Sequence, residues 1–187
     1  MKTKLKTLLT VSIMALIVVI STISNAASVG MTLSSNSKLK AGDTVTVTMS
    51  LGNIDAGNGI DTITAELNYD KNVFETVETS NLIASNSWTP TYASSTNMLT
   101  AVKNSKVTKG ETVLTITLKV KSTLSVKSTT VTLKDIVVSG GRVQDGGTGD
   151  INVNNASVTI NADSDAISKN ENTISNTTTT TNTTTNT

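Results

Sequence analysis

The sequence predicts an all-β fold, a sandwich of antiparallel strands, and three observations carry that expectation. Apolar side chains fall at every second position in one stretch after another, a period that buries one face of a strand and wets the other. Gly, Asn and Asp cluster between these stretches at fairly regular spacing, and no segment shows a convincing helical period, the pattern of several short strands joined by turns. The composition is rich in Thr, Ser, Asn and Val and has a single proline, which suits pleated, half-buried surfaces.

The elements follow in order. Residues 1–26 read as a secretory signal peptide. Lys2, Lys4 and Lys6 make a basic start, an apolar run extends from Leu8 to Ile20 broken only by Thr10 and Ser12, and Ser24-Asn25-Ala26 puts small residues where a signal peptidase reads them. The run is shorter than the roughly 20 apolar residues of a spanning helix. A secreted or cell-surface, extracellular protein is therefore expected, with no membrane insertion after cleavage.

A domain is expected over residues 27–161. It opens with Val29, Met31 and Leu33 in alternation, and Ala41-Gly42-Asp43 then turns the chain into Thr44 to Leu51. There Val45, Val47, Met49 and Leu51 share one face and Thr or Ser the other. Gly52 to Asn58 reads as a loop. Ile63, Ala65, Leu67 and Tyr69 next alternate with Thr64, Glu66 and Asn68. Tyr69-Asp70-Lys71-Asn72 supplies turn chemistry, and Val73-Phe74 starts a further strand toward Val77. Leu82 and Ile83 are expected to cap one end of the core. Trp88, Pro90 and Tyr92 lie on a short extended piece that the proline marks as an edge or a bend, in a hairpin with Met98 to Lys103.

Lys109-Gly110-Glu111 turns into Thr112 to Lys121, with Leu114, Ile116, Leu118 and Val120 inward. Thr129 to Val138 is the next strand, and Lys134-Asp135-Ile136 breaks its parity, the mark of a bulge. Gly140-Gly141 and Gly146-Gly147 bracket a loop expected to be mobile. Ile151 and Val153 take one parity and Ala156, Val158 and Ile160 the other, so Asn154-Asn155 must absorb the switch. From residue 162 to 187 the chain is polar and ends in Thr and Asn alone. Disorder is expected of this linker or tail, because nothing in it offsets ordering entropy by burial.

Composition also excludes chemistry. Cysteine and histidine are both absent, which removes disulfides and the commonest general base and metal ligand. The carboxylates sit mostly in turns or on outward strand positions, whereas a catalytic pair needs converging carboxyls in environments that shift them. No enzyme activity is expected. Asp145-Gly146-Gly147-Thr148-Gly149-Asp150 offers two carboxylates without the ligand spacing of an EF-hand loop, so neither a metal site nor a cofactor is expected. Without the three leader lysines, 12 basic side chains face 14 acidic ones, which leaves no basic stripe for nucleic acid.

Several blocks carry a family resemblance. They are Gly42-Asp43-Thr44-Val45-Thr46-Val47, Gly59-Ile60, Leu67-Asn68-Tyr69-Asp70-Lys71-Asn72-Val73-Phe74-Glu75, Thr112 to Lys121, and Ile151-Asn152-Val153. Together, and in this order, they resemble a cohesin domain, the module with which clostridial scaffoldins hold dockerin-bearing enzymes. The resemblance implies a nine-stranded antiparallel β-sandwich with jelly-roll topology and a dockerin-type partner, on carbohydrate-active enzymes in a cellulosome-like assembly for polysaccharide catabolism. Calcium would belong to the dockerin. Carried over residue by residue, the resemblance places the partner on Thr62, Thr64, Glu66, Tyr92 and Val102. Thr62 and Thr64 stand where well-studied members carry Asn and an acidic residue. Both can hydrogen-bond and neither brings charge, which weakens electrostatic steering and shifts specificity.

Two other functions stay open. In a carbohydrate-binding module, Trp88 and Tyr92 would form a two-ring platform for polysaccharide, provided that the rings are exposed and Trp88 does not plug the core. In a structural cell-surface adhesin or stalk, the strands would bear load and Lys-Asn isopeptide bonds would form beside an acid.

Overall fold

Alternation dictates two apolar sheet faces, and these pack on each other. The computed structural model describes residues 27–163; the expected signal peptide and the tail beyond Asp163 lie outside the described residues. The strands are β1 (Ser28–Ser34), β2 (Thr44–Asp55), β3 (Ile60–Asn68), β4 (Leu82–Ala84), β5 (Thr89–Ala93), β6 (Met98–Val107), β7 (Thr112–Lys119), β8 (Ser128–Ser139), β9 (Asp150–Val153) and β10 (Ala156–Asn161). The smaller sheet runs β1-β2-β7-β4. The larger runs β10-β8-β3-β6-β5, with β9 also paired to β8. This is the antiparallel sandwich of jelly-roll type that the sequence predicts, with ten strands rather than nine.

The inward rows are those that alternation marks. Val45, Val47 and Met49 of β2 and Leu114, Ile116 and Leu118 of β7 are fully buried, as are Ile63, Ala65 and Leu67 of β3 on the other sheet. Each large aliphatic side chain so buried contributes about 1.5–3 kcal/mol before entropy is counted.

Three local expectations are corrected. Gly52 to Asp55 is not loop, because β2 continues opposite β1 through Val29↔Ile54 and Ser28↔Asp55, with Ile54 still packed on the core. Residues 73–77 form no strand. The Val73 and Phe74 amides both donate to the Asp70 carbonyl, and Phe74 then makes only an isolated bridge to Val120. This stretch is apolar because it crosses through the core: the Tyr69 hydroxyl accepts from the Val77 amide at 3.0 Å, and its ring meets that of Phe74 edge-on at 6.5 Å. Leu82 and Ile83 do not cap the core together either. They belong to β4, whose alternation buries Leu82 and leaves Ile83 56% exposed.

The expected bulge positions the candidate site. Thr64 stands opposite Val137 and Glu66 opposite Lys134, so one residue of β3 faces two of β8, and Asp135 takes a positive φ of 48°. On the other side of β8, Leu133 faces Ala156 and Ile136 faces Val153. Asn154-Asn155 therefore lies beside Lys134-Asp135, and both strands change parity at one level. That shared step splits the last stretch into β9 and β10.

The glycine-rich loop after β8 is bonded throughout. The Gly147 amide donates to the Arg142 carbonyl and that of Gly149 to Gly141, both at 2.8 Å. The Thr148 hydroxyl reaches the Gly59 carbonyl at 2.6 Å. Gly140 has to be glycine, since a Cβ there would lie 2.0 Å from the Gly59 oxygen.

Candidate functional site

The outward parity of β3 carries Thr62, Thr64 and Glu66, and strand register decides what surrounds them. Ser139, Thr62, Val102 and Thr89 stand side by side across β8, β3, β6 and β5. Val137, Thr64, Thr100 and Thr91 form the next row, and Lys134, Glu66, Met98 and Ala93 the third. None of these residues is buried. Val102 at 44% and Met98 at 36% exposed are its apolar high points. The first two rows hold only Thr, Ser and Val, while the third sets Glu66 across from Lys134.

One edge of this face holds a charged group that parity concealed. Asp61 begins β3 beside an irregularity in register between Ile60 and Thr62. Its carboxylate accepts from the Thr62 hydroxyl at 3.1 Å and from the Lys106 ammonium at 2.5 Å. Lys106 also donates to the Gly140 carbonyl, which ties the pair to the glycine-rich loop. Strict alternation assigns Asp61 to the inner face, so sequence reasoning passed over it; the signal available was an acid adjoining a candidate contact residue at the start of a strand.

Four of the five candidate contact residues thus share one face: Thr62, Thr64, Glu66 and Val102. Tyr92 does not. It stands opposite Leu99, on the parity that faces the core, and is 8% exposed. Its hydroxyl donates to the Asn97 carboxamide oxygen at 3.2 Å. Burial, then the neighbouring Tyr69 phenol and the Glu78 and Glu66 carboxylates, push the Tyr92 phenol well above its ordinary range.

The two-ring sugar platform is corrected by the same parity. Trp88 is 2% exposed and its indole N–H donates to Glu111 Oε1 at 2.6 Å. Lys103 donates to that same oxygen at 2.7 Å and lies 5.8 Å from the indole centroid. Trp88 therefore plugs the sandwich edge between the two sheets, and a sugar would find neither ring bare.

Lys103, Lys106 and Lys119 commit their ammonium groups to oxygens of Glu111, of Asp61 and Gly140, and of Gly42 respectively. These three lysines are not seated for an isopeptide bond with asparagine.

A family model described as the Cohesin domain matches residues 29–160. Among solved structures, the chain is similar to a cohesin module from a family 33 glycoside hydrolase of Clostridium perfringens. That likeness has a TM-score of 0.60 at 10% identity and covers 73% of this chain and 98% of that one, so it is a likeness of fold. Among curated proteins, none matches.

Proposed function

The chain belongs to the cohesin domain family, and on that premise we propose that it is a secreted, non-catalytic docking module that binds a dockerin-type domain on carbohydrate-active enzymes. The observation that supports this most is the outward face of β8, β3, β6 and β5. It is a broad sheet surface on which Thr62, Thr64, Glu66 and Val102 lie side by side and none is buried. Small-molecule sites are concave, whereas a flat sheet face with exposed aliphatic and hydroxyl groups suits a folded partner. Tyr92 supports this face from beneath and does not touch the partner. The dockerin would bring its own calcium, and this chain would supply preformed strands that need no ordering on binding.

Calorimetric titration of the chain with clostridial dockerin modules, in calcium, tests the proposal. Saturable binding of at least one module is the expected outcome. Silence from every module contradicts it.

A further inference from the structure

The turn that joins β2 to β3 holds a reactive pair of residues that the docking function does not use. Asn58-Gly59 is the one Asn-Gly pair in the sequence. Glycine has no Cβ to shield its amide nitrogen, so that nitrogen can reach the side-chain carbonyl carbon of the asparagine before it. We propose that Asn58 is a self-modification site: its deamidation is held back by the glycine-rich loop and, once complete, unfastens that loop.

The fold itself puts the pair there. Gly59 takes a positive φ of 75°, and a Cβ on it would lie 2.7 Å from the Val107 carbonyl oxygen, so position 59 calls for glycine. Asn58 is exposed, and its carboxamide N–H donates to the Gly146 carbonyl of the loop. The attacking group is held as well. The Gly59 amide donates to the Ala56 carbonyl at 2.5 Å, and the Gly59 carbonyl accepts from the Thr148 hydroxyl at 2.6 Å. Electrophile and nucleophile are therefore both tied down, and the loop must lift locally before they meet.

In the reaction the Gly59 nitrogen bonds to the Asn58 side-chain carbonyl carbon, and the carboxamide nitrogen leaves as ammonia with the Gly59 amide proton. Water then opens the cyclic imide at either carbonyl and leaves aspartate or isoaspartate at position 58. Neither product restores the clasp. An ionised carboxylate has no proton to give, so it would set an acceptor against the Gly146 carbonyl. Isoaspartate also adds a carbon to the backbone beside Gly59, whose carbonyl lies tight against Gly140. The same loop supplies the Gly140 carbonyl to Lys106, so the change reaches the Asp61–Lys106 pair.

The test incubates the full chain at mildly alkaline pH, folded and in urea, and follows the peptide containing position 58 by mass spectrometry. The folded chain is expected to react at least ~10-fold more slowly than the unfolded one. Thr148→Val removes one fastening bond and should speed the folded chain by roughly 3-fold or more. Equal rates for the folded and unfolded parent, or a Thr148→Val chain, folded by circular dichroism, that reacts no faster, overturns the gating. No product at Asn58 in urea overturns the site itself. Asn58→Asp reproduces one product directly. Its Gly146, Gly147 and Gly149 amides should exchange hydrogen at least ~10-fold faster than in the parent chain, and unchanged exchange overturns the unfastening.

Discussion

Trp88 reaches its partner across the sandwich, and the energetics of that edge belong to single residues. Glu111 receives both the indole N–H and the Lys103 ammonium, so one carboxylate just before β7 satisfies a donor just before β5 and a donor on β6. Trp88→Ala removes a buried ring and should cost about 3–5 kcal/mol in urea unfolding. Glu111→Gln keeps an acceptor for Trp88 but strips the counter-charge from Lys103, whose side chain is 13% exposed, and should cost about 1–3 kcal/mol. No loss in either variant would contradict this account of the edge. Tyr92 adds a pH dependence. Its phenol is raised from 10.0 by burial first, so the folded chain keeps a proton that the unfolded chain releases. The corresponding stability is fully present below about pH 10 and is lost as pH rises beyond it. Tyr92→Phe should flatten that alkaline decline, and an unchanged slope in thermal unfolding would refute the assignment. The alternation of positions 88, 90 and 92 with Thr89 and Thr91 carried a signal for the inward parity of Trp88 and Tyr92, yet the resemblance placed Tyr92 on the partner face. The bond from Trp88 to Glu111 was not, because nothing local links residues that meet only when two sheets stack.

At the scale of elements, β3 and β8 were the most legible parts of the chain. Period two gave the buried row of β3, and the parity break at Lys134-Asp135-Ile136 gave the bulge that aligns Thr64 with Val137. The stretch from Val73 to Val77 misled because burial alone does not distinguish a strand from a crossing segment; its hydrogen bonds go to Asp70, Lys119 and Lys121 rather than to a ladder. The loop from Gly140 to Gly149 was visible only as glycine content. Besides its internal bonds, it is tied by the Thr148 hydroxyl to the Gly59 carbonyl, 89 residues earlier, a separation that local pattern does not reach. Gly140→Ala should therefore destabilise the fold by about 1–3 kcal/mol. It should also move the amide resonances of Gly59 and Thr148; resonances that stay in place would show that the loop tolerates a Cβ.

For the whole molecule, alternation predicted a two-sheet sandwich and could not predict which strands are neighbours. Pairing order is decided by chain crossings and non-local register, and it is pairing order that turns Thr62, Thr64, Glu66 and Val102 into one surface while leaving Tyr92 beneath it. The resemblance in the blocks around Leu67 to Glu75 and Thr112 to Lys121 supplied what periodicity could not, and the match over residues 29–160 bears it out. The central claim is that a dockerin-type partner lies across the outward face of the larger sheet. Its most direct measurement is a parallel titration of the chain and its Thr64→Arg variant with clostridial dockerin modules in calcium. The account predicts binding to the parent chain that weakens at least ~100-fold in the variant, whose melting temperature stays unchanged because position 64 points to solvent. Equal affinity for parent and variant would contradict it.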